Sequence, residues 1–123
     1  MADNYHIDFY LLMAIMWKES RYTPDVVSRG GDYGLMQINK RNHEWLTETL
    51  GLDDITDPKQ NIEAGAYVLW MLYEKYDGNT HMALMSYNMG EGNARKLWNQ
   101  GVYESNYSRS VIAKQEELAN GNN

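Results

Sequence analysis

An all-α domain of six to seven helices around a central buried helix follows from three features of this chain. Its 123 residues suit one domain over positions 1–123, with enough length for a single hydrophobic core. Apolar residues recur at helical spacing, and Pro or Gly closes each run. No convincing strand, repeat or low-complexity tract interrupts them.

The elements are expected in this order. Asp8 caps a first helix that runs to about Ser20; its run from Phe9 to Trp17 is apolar nearly all round, which suits a central position. Pro24 follows closely and helps to stop it. Positions 21–32 read as loop with Gly30-Gly31 as a flexible point, and short β-turn pairs fit between 25 and 35. A short helix is expected to carry Leu35, Met36 and Ile38. Asn42 or His43 opens a helix through Trp45, Leu46 and Leu50, closed by Gly51. Asp57-Pro58 pairs an N-cap acid with a proline at the first helical position. The helix it opens runs to about Tyr76 on Ile62, Ala66, Leu69, Leu72 and Tyr73, and Asp77-Gly78 ends it. Thr80 to Met89, Gly92 to Gln100 and Ser105 to Ala119 complete the set, and 120–123 is expected to fray.

Composition narrows the function. A formal charge of −6 with scattered Lys and Arg gives no basic stripe for nucleic acid. The absence of cysteine removes disulfides and thiolate metal sites. His6, His43 and His81 lack metal-binding spacing, Asp53, Asp54 and Asp57 lack that of a calcium loop, and no cofactor motif is present. The nine apolar residues from Phe9 to Trp17 are too short to span a bilayer. Asp3 and Asp8 precede them in place of a basic cluster, so they do not read as a signal peptide. Ten Tyr and four Trp against one Phe favour mixed cores and flat faces suited to sugars.

Three clusters carry candidate chemistry. Glu19 ends the first apolar run, where poor solvation and the negative end of the helix dipole both raise a carboxyl pKa. That suits a general acid. The alternative is a solvated residue paired with Lys18 or Arg21. Gly34-Leu35-Met36-Gln37-Ile38-Asn39 alternates apolar anchors with amides that fit sugar hydroxyls, or else forms a buried turn. Ser86-Tyr87-Asn88-Met89-Gly90 places Tyr and Asn at a helix end, as a ligand contact or a plain C-cap.

Together these clusters resemble the soluble lytic transglycosylase family, whose catalytic domain is lysozyme-like. The matching segments are Glu19-Ser20, Gly34-Leu35-Met36-Gln37 and Ser86-Tyr87-Asn88-Met89-Gly90, with Asp57-Pro58, Asn61-Ile62 and Gly65 between them. The resemblance covers roughly positions 10–112. It implies cleavage of peptidoglycan glycan strands, with Glu19 as the sole catalytic acid and then base. Ser28 matches a family serine that hydrogen-bonds near the site. Gly34, Met36 and Gln37 belong to the cleft segment, with Met36 and Gln37 as lining. Tyr87 and Asn88 contact the sugars and hold the glutamate, and Tyr107 matches a C-terminal family tyrosine. Glu104 sits one residue short of the usual spacing and is not carried over. Ser86 stands where alanine is usual. The implied reaction cuts between N-acetylmuramic acid and N-acetylglucosamine and leaves a 1,6-anhydro end. A goose-type-lysozyme-like hydrolase and an inactive glycan-binding domain are the alternatives. Asp25 and Asp32, between the first two motifs, are the acids that could activate a water. No cofactor, metal or membrane insertion is implied. A monomer is expected, as part of a longer chain or of a phage or exported enzyme acting in the cell wall or periplasm.

Overall fold

The structure, a computed structural model, describes residues 5–121. Six α-helices account for most of them: α1 Phe9–Ser20, α2 His43–Leu50, α3 Pro58–Lys75, α4 Thr80–Met89, α5 Glu91–Asn99 and α6 Asn106–Ala119. One small antiparallel sheet pairs β1 (Asp32–Tyr33) with β2 (Ile38–Asn39), in the register Asp32 to Asn39 and Tyr33 to Ile38. The expected frayed tail falls partly on positions 122 and 123, outside the described residues; Asn120 and Gly121 form a turn.

Local chemistry sets most boundaries. Asp8 accepts hydrogen bonds from the backbone N–H groups of Tyr10 and Leu11, satisfying donors that the first turn leaves free. Asp57 does the same for Gln60, with Pro58 behind it. Ser105 and Ser108 cap α6 reciprocally. Gly51, in the left-handed region, ends α2.

Leu11, Leu12, Ala14, Ile15 and Met16 of α1 enter the main core with Leu46, Leu69, Leu72, Leu84 and Val111. Phe9 and Tyr10 begin the same helix at the surface. Helix α6 lies along α1, and α4 packs against α3, α5 and α6. Trp17 of α1 carries the Arg21 guanidinium at 4.1 Å and the Lys114 ammonium of α6 at 5.0 Å from its ring centre, which adds cation–π attraction to the α1–α6 seam.

The short helix expected over Leu35 to Ile38 is instead the tip of the β1–β2 hairpin. Gly34 (φ +80°) and Gln37 (φ +53°) are both left-handed, which no right-handed helix continues. The apolar members point inward two residues apart, Met36 and Ile38, as a strand period requires.

The hairpin is locked to the helices by two residues of α3. Asn61, fully buried, accepts from the Met36 N–H at 2.7 Å and donates to the carbonyls of Tyr33 (2.8 Å) and Ile55 (3.0 Å). Gly65 leaves room for Met36: a Cβ there would lie 2.6 Å from its side chain. Ser20, at the end of α1, donates from a buried hydroxyl within reach of the carbonyls of Met16 and Leu35, each 3.0 Å away. The serine of the Glu19-Ser20 pair thus ties the acid-bearing helix to the hairpin.

Candidate active site

A cleft of about 570 Å³ opens between the hairpin, the segment leading into α2, and the ends of α1, α3 and α4. Glu19, Asp32, Gln37, Asn39, Tyr87 and Asn88 are among its lining residues. Three chain segments far apart in sequence therefore meet at one surface.

Glu19 is the penultimate residue of α1 and is only partly exposed. Burial is the largest influence on its carboxyl and raises its pKa above the ordinary value. The hydroxyl of Tyr107 donates to its Oε2 at 2.6 Å and pulls the other way, since that bond favours the ionised form. The negative charge of Asp32 raises it further and Lys18 lowers it; the net direction is upward. The carboxyl is thus sheltered, oriented and biased towards holding its proton.

Tyr107 reaches Glu19 because the start of α6 is doubly fixed. Its capping serines set the first turn, and the Ser108 hydroxyl also lies 2.7 Å from His81 Nδ1 of α4. Burial and the adjacent Glu19 hold the Tyr107 phenol well above its usual pKa, so it stays a donor.

The other expected site residues fall in distinct places. Gln37 lines the cleft and donates to the Gly34 carbonyl at 2.9 Å, and Asn88 is exposed on the cleft wall. Tyr87 lines it too, but its hydroxyl donates to the Met36 carbonyl at 2.8 Å. The tyrosine that grips the glutamate is Tyr107, rather than Tyr87. Met36, expected in the lining, is fully enclosed against Gly65 and supports the hairpin from within. Gly34 is also internal: with φ +80°, its α-carbon lies so close to Asn61 that a Cβ would come within 2.5 Å of the amide. Ser28 sits behind the lining. Its hydroxyl accepts from the Asp32 N–H at 3.0 Å and lies 3.3 Å from Asp32 Oδ2.

The two loop acids separate. Asp32 enters the cleft, held also by the Asn39 side-chain amide at 3.0 Å. Asp25 borders another hollow of about 430 Å³ with Pro24, Val26, Val27 and Pro58. That hollow is largely apolar and contains none of Glu19, Gln37 and Asn39. Glu104 lies outside the cleft residues and faces Arg109 (3.6 Å) and His81 (3.8 Å).

Sequence reading overlooked Trp45, Arg41 and Glu91, all in the lining. Trp45 is 37% exposed in the lining, with its indole N–H bonded to Asn42 Oδ1 at 2.9 Å. The available signal was phase: Leu46 and Leu50 form the inward stripe of α2, and Trp45 lies off it. Ser86 lines the cleft with a buried hydroxyl that has no hydrogen-bond partner among the described residues. Among those residues, no cluster of three His, Cys, Asp or Glu is placed to hold a metal ion, and no helix is long and apolar enough to cross a membrane.

Comparison with known proteins places the family and the fold. The model of the transglycosylase SLT domain matches residues 1–111. Membrane-bound lytic murein transglycosylase F of Pasteurella multocida is 37% identical over 100 residues, covering 74% of this chain and 20% of that protein. The peptidoglycan transglycosylase gp16 of Escherichia phage T7 is 36% identical over 98 residues, covering 74% of this chain and 7% of that protein. The fold is similar to that of the 70-kDa soluble lytic transglycosylase solved with bulgecin A (TM-score 0.85, 24% identity, 98% of this chain and 23% of that one). It is also similar to the lytic transglycosylase Slt of Pseudomonas aeruginosa (TM-score 0.81, 22% identity, 99% and 24%). The matched region spans only 7 to 20% of the curated relatives described. With the family model covering all but the last twelve positions, the chain belongs to the transglycosylase SLT domain family.

Proposed function

We propose that this domain is a peptidoglycan lytic transglycosylase, cutting the β-1,4 bond between N-acetylmuramic acid and N-acetylglucosamine. One observation carries the reading: a partly buried glutamic acid of raised pKa, oriented by a tyrosine, in a cleft lined with amides and an exposed indole.

Neutral Glu19 donates its proton to the bridging oxygen, and the bond to C1 breaks. The carboxylate that results accepts a proton from the 6-hydroxyl of the same muramic acid residue as that oxygen closes onto C1. The product is a 1,6-anhydro end. The nucleophile is tethered within the substrate, so proximity replaces the second carboxyl that ordinary glycosidases use to activate a water or form a covalent bond. Gln37, Asn39 and Asn88 supply donors and acceptors for hydroxyl and N-acetyl groups, and Trp45 supplies a stacking face. The names of the relatives support action on the cell wall or in the periplasm.

Replacing Glu19 by Gln removes the transferable proton at nearly constant shape. Wall lysis is expected to fall by at least about a thousandfold, with the helical circular-dichroism signal intact. Undiminished lysis by Glu19→Gln refutes the assignment. Mass spectrometry of released muropeptides then reads the reaction, because anhydro ends are lighter than hydrolysed ends by one water.

A further inference from the structure

The cleft that holds Glu19 also holds Asp32. Asp32 comes from β1 whereas Glu19 comes from α1, and both line the same cavity. Asp32 is built in with unusual care for a loop acid. Its backbone N–H donates to Ser28 Oγ at 3.0 Å, one carboxylate oxygen receives the Asn39 amide at 3.0 Å, and the other lies 3.3 Å from the Ser28 hydroxyl. Its backbone carbonyl receives the Ser28 N–H at 2.9 Å. Among the described residues no salt bridge neutralises it. Its charge acts on two neighbours in the cleft, Glu19 and Tyr87.

Of the three carboxyls that line the cleft, Glu91 is engaged by Lys75, Arg95 and Tyr76, which leaves Glu19, sheltered, and Asp32, hydrogen-bonded in a polar setting, as a pair that can divide labour. We propose that Asp32 is a second catalytic carboxylate, whose charge stabilises the positive charge that develops on the anomeric carbon as the glycosidic bond breaks. This rests on the reading of Glu19 as the acid. Glu19 passes its proton to the bridging oxygen, and the electron pair of the C1–O bond leaves with that oxygen. C1 becomes electron-poor, and the fixed negative charge of Asp32 lowers the energy of that state. An oxygen lone pair then closes onto C1, and the attacking oxygen gives its proton to the Glu19 carboxylate. When the oxygen is the sugar's own 6-hydroxyl, the product is an anhydro end. When it belongs to water, the product is a reducing end.

Groups around the pair bear on any pH dependence: Lys18 on α1, Tyr87 on α4, Tyr107 on α6, and Arg41 in the cleft lining. The stem of Lys40 lies against the Gly31 α-carbon, and His43 of α2 meets Tyr33 edge-on.

The test is Asp32→Asn, which can keep the hydrogen bonds of the hairpin while removing the charge. On purified sacculi the initial rate is expected to fall about 100-fold. Chito-oligosaccharide affinity should stay within about threefold and the circular dichroism should be unchanged. The alkaline limb of the pH–rate profile should move to lower pH, because a negative neighbour of Glu19 is gone. A rate within about threefold of the parent, with an unmoved alkaline limb, overturns the role of Asp32 while leaving Glu19 as the acid. A parent chain that releases no product from any wall preparation overturns both. Should Asp32→Asn fail to fold, binding to the Glu19→Gln chain decides. A cationic piperidinium analogue of N-acetylglucosamine is expected to bind about tenfold more tightly than the neutral sugar; equal affinity overturns the proposal.

Discussion

Opposing influences meet on the Glu19 carboxyl. Burial and Asp32 favour the neutral form, and the Tyr107 hydroxyl favours the charged one. A general acid that must become a base within one turnover benefits from such opposition, since neither state lies far from the other. Tyr107→Phe removes the bond that favours the carboxylate, so the Glu19 pKa rises further. The alkaline limb of the pH–rate profile is expected to shift upward, and the rate at the optimum to fall about tenfold as the carboxyl loses its orientation. Stability should carry the same signature. A carboxyl whose pKa is higher in the folded than in the unfolded state binds more protons when folded. Stability is therefore fully present below the unfolded value and is lost as pH rises through the folded one. Chemical denaturation from about pH 4 upward, starting near the ordinary carboxyl value, should show the parent losing stability relative to Glu19→Gln. A constant difference between the two chains would contradict the burial of this acid.

The hairpin depends on α3 more than on its own two-residue strands. Asn61 and Gly65 lie one turn apart on that helix and meet the Met36 backbone and side chain respectively. Asn61→Ala would leave the Met36 N–H and two carbonyls without partners, for an expected loss of about 3 kcal/mol in urea unfolding. Gly65→Ala forces a methyl into Met36, at about 1–3 kcal/mol. Either change should also displace Asp32 and Gln37 and depress lysis more than stability alone explains. The helices themselves were legible because caps and terminators are local: Asp8, Asp57-Pro58, Gly51 and Ser105 act within one turn. The hairpin was not, because Gly34 and Gln37 take left-handed conformations in a tip that Asn61, far along the chain, holds through the Gly34 α-carbon and the Met36 N–H. A Leu-Met-Gln-Ile string suits a helical turn as readily as a strand end. For the site, the acid and the amide segment stood out by position and residue type. Tyr107 was reached only through the family resemblance and its bond to Glu19 was not foreseen, because the two are 88 residues apart and only the docking of α6 onto α1 joins them.

A net charge of −6 spreads over the whole surface and gives the protein no long-range attraction to a wall whose peptide stems carry carboxylates. Engagement must rest on short-range stacking and hydrogen bonds in the cleft. Raising the ionic strength from about 0.01 to 0.15 M screens the mutual repulsion, so lysis of sacculi is expected to hold steady or accelerate. A steep decline would point to a concentrated cationic surface that the scattered Lys and Arg do not form. One last consequence belongs to the long span that closes on Glu19. Position 107 must clear the ribosome before its phenol can dock beside that acid. During synthesis, a half-made copy therefore carries Glu19 without the hydroxyl that orients it.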